Sequence, residues 1–221
     1  MKKIKAKKQL IHTNSNQKLF VFDSESKTKN FNFKIDNSST LIFVSYKKKN
    51  LDINLNFFVG KNCELKIYLI DLIEQSKHNF TITLNHDSDS KTFFYAKVFA
   101  SKNGSSNIDV QATVRKNEYH IVTNQEINGF LFADDASITA KPSLIIDNNQ
   151  ITASHSLNVS YLNKENIFYL QTRGFNYKQA VNILIENEIS ILKDSYYNSK
   201  ERKIDIYKTV KKQISKMLGN S

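Results

Sequence analysis

Tryptophan is absent, proline and cysteine each occur once, and five glycines serve all 221 residues. Each scarcity removes a class of function. With Cys63 as the lone cysteine, no disulfide can close within the chain and no Cys-x-x-Cys motif exists. A reducing, cytoplasmic setting is therefore expected. Gly60, Gly104, Gly129, Gly174 and Gly219 lie too far apart to build a phosphate-cradling loop. Gly-x-Ser-x-Gly and His-Glu-x-x-His are both missing, so neither a nucleophile elbow nor a zinc-protease helix is written here. A zinc site would have to draw on five scattered histidines, His12, His78, His86, His120 and His155. No run of about 18 apolar residues exists, so no membrane span is expected. The basic start MKKIKAKKQLIH lacks the apolar core of a secretory signal.

The formal charge of +11 suggests nucleic acid until it is located. Residues 1–10 hold five Lys and no acid, and residues 193–221 hold eight basic residues against three acidic ones. The stretch between them, 11–192, carries 19 basic and 18 acidic residues and is close to neutral. The excess sits in the two ends, where lysine in a Lys- and Asn-rich chain reads as solubilising, and a nucleic-acid partner is not expected. Lys47-Lys48-Lys49 falls between two strand-like runs and reads as a solvated turn.

What is present in abundance is period-two alternation. It runs through Lys18–Phe22, Asn30–Ile35, Leu51–Phe57, Glu64–Leu69, Asn79–Leu84, Thr92–Phe99, Ile108–Val114 and Tyr119–Val122. Alternate residues on a strand face opposite sides, so each run offers one core face and one wet face. No helical period appears before residue 163. A mainly-β body of this kind is a sandwich, a barrel or a solenoid. Gly129–Phe132, Ala136–Ala140, Ser143–Ile146 and Gln150–Ala153 read as very short strands cut by the polar corners Asp134-Asp135, Lys141-Pro142 and Asp147–Asn149. Short strands with polar corners favour a β-helix, and roughly 20 residues per coil would give about six or seven coils.

Helices follow. Asn163 is placed to cap a short helix through Leu170 that Gly174 stops, and Asn176 to cap a longer one to about Lys193. Ala180, Val181, Leu184, Ile185, Ile189 and Leu192 form its apolar stripe. A third helix from about Lys200 to Leu218 is expected to present Ile204, Tyr207, Ile214 and Leu218, interrupted by Lys211, with Ile206, Val210 and Met217 flanking. Three segments result: a basic N-terminal segment 1–17, a β-helix core 18–160 and a helical domain 161–221.

The junction, Ile151 to Ala180, reads ITASHSLNVSYLNKENIFYLQTRGFNYKQA. Its Ser154-His155, Asn163-Lys164-Glu165, Ile167–Leu170 and Arg173-Gly174-Phe175 resemble, without a gap, the end of the core domain in the SufB/SufD family of iron–sulfur cluster assembly proteins. Weaker similarity reaches back to about Asp134. The resemblance implies a right-handed parallel β-helix with a C-terminal helical domain. It implies a non-catalytic, SufD-like subunit, shortened at the N-terminus relative to that family. Such a subunit pairs with a SufB-like or identical core subunit, docks a SufC-like ABC ATPase through its helices, and works with a cysteine desulfurase system. By the same resemblance, His155 is a candidate iron ligand at the subunit interface. Glu165, Phe168, Tyr169, Arg173, Gly174, Phe175 and Ala180 fall in the ATPase-docking segment. Ala153 stands where SufD-type chains often have cysteine, and Ser156 and Ser160 replace motif glycines. Without that soft ligand the chain alone is expected to hold no stable cofactor, only a transient cluster shared at an interface.

Blander readings accompany these. His155 can equally be an ordinary polar strand residue, Cys63 a small buried hydrophobe, and Asp134-Asp135 and Asp87/Asp89 turn residues. From a different class, a β-helix polysaccharide-active or carbohydrate-binding protein would use such carboxylates in an aromatic-lined groove.

Overall fold

The chain's fold, a computed structural model, is described for residues 10–12, 17–22, 28–46, 48–193, 196–199 and 202–219. Most of the basic N-terminal segment and Lys47 lie outside these. Twelve strands come first: β1 (Leu10–His12), β2 (Gln17–Phe22), β3 (Lys29–Ile35), β4 (Ser39–Ser45), β5 (Leu51–Val59) and β6 (Glu64–Glu74). They continue with β7 (Lys77–His86), β8 (Lys91–Ser101), β9 (Ser105–Val114), β10 (Ile121–Leu131), β11 (Ser137–Ile146) and β12 (Ile151–Tyr161). Odd-numbered strands form one six-stranded sheet in order and even-numbered strands the other. Every pairing within them is parallel. The chain thus winds as a β-solenoid of six coils, each giving one strand to each sheet.

Coils are longer than the sequence reading supposed. One turn carries Phe20 to Phe43, 23 residues on, and a later turn carries Val110 to Pro142, 32 residues on. A second correction concerns the terminal coils. Lys141-Pro142 is no corner but lies inside the ten-residue β11, and β10 and β12 are eleven residues each. Proline is tolerated there because β11 is an edge strand.

Side chains on the inner faces stack coil upon coil. Phe33 lies on Phe57 with ring centroids 4.8 Å apart, and Phe20 on Phe43 at 4.9 Å. Leu55, Ile82 and Val110 continue the filling at full burial. Outer faces of the first sheet carry stacked amides, among them Asn54 to Asn30 at 2.7 Å and Asn107 to Asn79 at 3.0 Å.

A second core forms where the helices cover the outer face of the second sheet. Ile42 and Val44 of β4, Ile70 and Leu72 of β6 and Phe99 of β8 pack there. Against them lie Ile167 of α1 (Lys164–Thr172), Ala180, Val181 and Ile185 of α2 (Tyr177–Glu188), and Ile206, Val210, Ile214 and Met217 of α3 (Ile206–Met217). The buried face of α3 thus joins Ile214 of the expected stripe to Ile206, Val210 and Met217, which were expected to flank it, while Lys211 pairs with Glu186 at its side. In a short antiparallel pair, β13 (Tyr196–Ser199) precedes the stretch expected to be helical from about Lys200, and β14 (Arg202–Asp205) falls within it. Among the described residues no helix is long and apolar enough to cross a membrane.

Candidate functional site

Among the described residues no further strand covers the last coil of the solenoid. β11 and β12 are the last strands of their sheets, and each pairs on one side only. Register carries the inner rows out to this rim: Ile138, Ala140, Pro142, Leu144 and Ile146 on β11 continue the buried row of β9. On β12 the continuation is Ile151, Ala153, His155, Leu157, Val159 and Tyr161. In earlier coils these positions are sealed by the next coil. Here Ile146 is 37% exposed, Leu157 45% and Tyr161 53%. An edge strand of eleven residues with an apolar row beside it is a surface suited to strand pairing and hydrophobic docking.

His155 stands in the middle of that row, exposed, directly beyond the buried Gln125 of β10. Ala153 is two residues before it on the same face. Tyr161 donates its hydroxyl to Asp134 at 2.9 Å, and the carboxylate raises the pKa of the phenol. This fixes Asp134 as a partner of the rim, and Asp89 is held in its turn by Lys61 at 3.7 Å and His120 at 3.1 Å. Among the described residues, no three His, Cys, Asp or Glu side chains gather as a metal site.

Beside the rim, Asn163 caps α1 by accepting from the amides of Glu165 at 2.8 Å and Asn166 at 3.1 Å. Gly174, at φ +91°, ends it, and the Phe175 amide reaches back to the Leu170 carbonyl at 3.3 Å. A capping box between Asn176 and Gln179 starts α2. This tight helix–turn–helix leaves Phe168 68% exposed and Tyr169 55% exposed, with Phe175 and Tyr177 exposed alongside. Arg173 is the C-cap residue of α1, and its amide donates to the Leu170 carbonyl at 3.1 Å. Its guanidinium lies 5.2 Å from the Tyr169 ring centre and donates to the Tyr169 hydroxyl at 3.1 Å. Glu165 and Gly174 are on the surface, whereas Ala180 is fully buried in the second core and takes no part in it. Between rim and helices runs a groove of about 370 Å³ lined by Phe132, Tyr161, Leu162, Ile167, Tyr177 and Leu218 among others.

Cys63 is buried beside a shallow groove at a coil corner. Burial, then Asp36 and Asp87, push its thiol pKa up, which makes it a poor nucleophile. Sequence reasoning passed over two polar features inside the solenoid. Asp71, His78, Ser45 and Ser106 form a sealed cluster. Gln125 is buried where the residues stacked before it, Leu41, Ile67 and Phe94, are apolar. The signal for the first was Asp71, the acid inside the apolar stretch IYLIDLI of β6.

A parallel β-solenoid with an open terminal coil and a helical appendage at its mouth is the class of protein these features define. The family model for the SUF system FeS cluster assembly SufBD core domain matches residues 7–187, and the chain belongs to that family. It is similar to an iron–sulfur cluster assembly SufBD family protein of Synechocystis sp. (strain ATCC 27184 / PCC 6803 / Kazusa), 23% identical over 159 residues. That alignment covers 58% of this chain and 34% of the relative, so the chain spans about a third of the relative's length.

Proposed function

We propose that this chain is a non-catalytic, SufD-like core subunit in iron–sulfur cluster assembly, working in the cytoplasm. Its open rim pairs with a SufB-like or identical core subunit, and the helical appendage docks a SufC-like ABC ATPase. The observation that carries the reading is the exposed apolar inner row of β11 and β12 with His155 in its centre, in a chain of this family. A second core subunit would cover that row and complete the solenoid's hydrogen bonding along β12.

In this reading the cluster is cargo, built at the joint and passed on. His155 supplies one imidazole nitrogen, while thiolates come from the partner, because Cys63 is buried far along the chain at another coil. Sulfur is delivered by a cysteine desulfurase system. Phe168, Tyr169, Arg173 and Phe175 present the docking face to the ATPase, with Tyr169 held by Arg173. ATP is bound by that partner.

Co-expression with candidate core and ATPase subunits, followed by affinity capture, tests the assembly. Anaerobic reconstitution with iron and sulfide tests the role of His155. The expected result is capture of both partners and a lower cluster yield in His155→Ala. An unchanged yield removes the ligand role, and a failure to capture either partner removes the assembly role.

A further inference from the structure

One column of inner-face residues crosses five coils in register: Leu41, Ile67, Phe94, Gln125 and His155. The first three are fully buried hydrocarbon, as the interior of a solenoid requires. Gln125 is equally buried, at 0% exposure, yet carries an amide. Burying an amide is unfavourable unless its polar atoms find partners. Half of that requirement is met. Nε2 donates to the Ser143 carbonyl oxygen of β11 at 3.1 Å, and since a carbonyl only accepts, this bond fixes which end of the amide is which. The carbonyl end, Oε1, is buried and has no partner among the described residues.

The next side chain in the column is His155, one strand spacing away, about 4.8 Å, and exposed at the rim. The rest of the terminal inner row is hydrocarbon apart from the Tyr161 hydroxyl, which is engaged with Asp134. The imidazole is therefore the N–H donor nearest in register to the orphaned oxygen. Closing the pair would take a different rotamer of His155, whose side chain is exposed in the structure.

We propose that Gln125 is a positioning residue for His155. Its Oε1 accepts the proton of one ring nitrogen, selects that tautomer, and leaves the lone pair of the other nitrogen directed out of the open end. This explains why the apolar column turns polar one layer below the histidine. A histidine ligand is commonly oriented by a hydrogen bond to its second nitrogen, so the pairing would prepare His155 to bind a metal ion presented from the facing subunit. That consequence rests on the function proposed above, whereas the pairing is a property of this chain alone.

The test is long-range ¹⁵N–¹H correlation NMR on the full chain labelled at histidine, with His155 assigned by its loss in His155→Gln. Wild type is expected to show one dominant neutral tautomer of His155 and a ring proton that exchanges slowly with water. Gln125→Leu, checked for folding by circular dichroism, is expected to show mixed tautomers and fast exchange. Averaged tautomers with a rapidly exchanging proton in wild type would overturn the pairing, and so would identical His155 spectra in wild type and Gln125→Leu. Should Gln125→Leu not fold, the wild-type spectrum decides alone. An unchanged cluster yield in His155→Ala would instead defeat the ligand role of His155 and leave the tautomer result standing.

Discussion

Asp71 and His78 form an ion pair sealed inside the solenoid, with Oδ1 2.6 Å from Nδ1 and neither side chain exposed. The hydroxyls of Ser45 and Ser106 donate to the same carboxylate, Ser106 at 2.7 Å. His78 Nε2 lies 2.9 Å from the Lys49 carbonyl. With an acceptor at each ring nitrogen, the imidazole is a doubly protonated cation. The cluster joins β4, β6, β7 and β9, so four strands of both sheets meet at one buried charge pair.

Removing one partner leaves the other charged and unpaired in the interior, which costs about 3–5 kcal/mol. Asp71→Asn and His78→Leu are each expected to lose that much in urea denaturation. The double variant is expected to lose clearly less than the sum, because no orphaned charge remains. Additive losses would contradict the pairing.

The pair also sets a pH window. Burial alone would raise the pKa of Asp71, but the charge of His78 and hydrogen bonds from His78, Ser45 and Ser106 hold it below the usual carboxylate range. Its contribution is present above that range and lost as pH falls through the lowered value. For His78, burial pulls the pKa down, but Asp71 and the Lys49 carbonyl outweigh it and leave it raised. That contribution is full below the ordinary imidazole pKa and lost as pH rises through the raised value. His86 works in the opposite sense. Burial lowers its pKa against its bond to the Thr113 carbonyl, so its contribution is lost as pH falls. Subtracting the stability of the Asp71→Asn/His78→Leu double variant from that of wild type isolates the pair. The difference is expected to peak between about pH 4 and 6.5 and to shrink on both sides, as read by denaturation across pH.

Gly104 sits where a coil turns, and a Cβ there would lie 2.6 Å from the Ile73 carbonyl oxygen and 2.8 Å from that of Ser101. Both are backbone atoms, and the Ser101 carbonyl already accepts the Gly104 amide at 3.0 Å, so neither can yield cheaply. Gly104→Ala is expected to lose about 3 kcal/mol, the upper end for overpacking, seen as a lowered Tm. A neutral result would show that this corner is looser than drawn.

Phe43 touches the rings of Phe20, Phe22, Phe33 and Phe57 at 4.9–6.2 Å between centroids. Phe43→Ala removes the hub of that stack and is expected to cost about 3–5 kcal/mol in chemical denaturation.

How far the fold could be read from sequence depended on what lay above each strand. β5, LDINLNFFV, alternates because one face is wet, and it reads as a strand at sight. In β4 and the end of β6 the alternation vanishes, since α1, α2 and α3 bury their outer faces too. Pro142 looked like a corner because nothing in the sequence marks β11 as an edge. On α3 the expected stripe shares only Ile214 with the buried face, which Ile206, Val210 and Met217, a step round the helix, complete. The junction motif located His155, but its placement among exposed inner-row residues needed the register of β12 on β10. Gln125 was invisible, because only coil stacking shows that its predecessors in the column are Leu41, Ile67 and Phe94.

The mating role of the rim is tested most directly by the mass of the assembled complex, measured by light scattering, for wild type and Leu157→Asp. Leu157 is exposed, so the substitution is expected to leave the monomer folded, with stability changed by about 0.5 kcal/mol or less. Wild type should run as an assembly of two core chains, with itself or with a co-expressed relative, and Leu157→Asp as a folded monomer. A paired mass that survives the charge at position 157 would contradict the account, as would a wild-type chain that stays monomeric beside every core subunit offered.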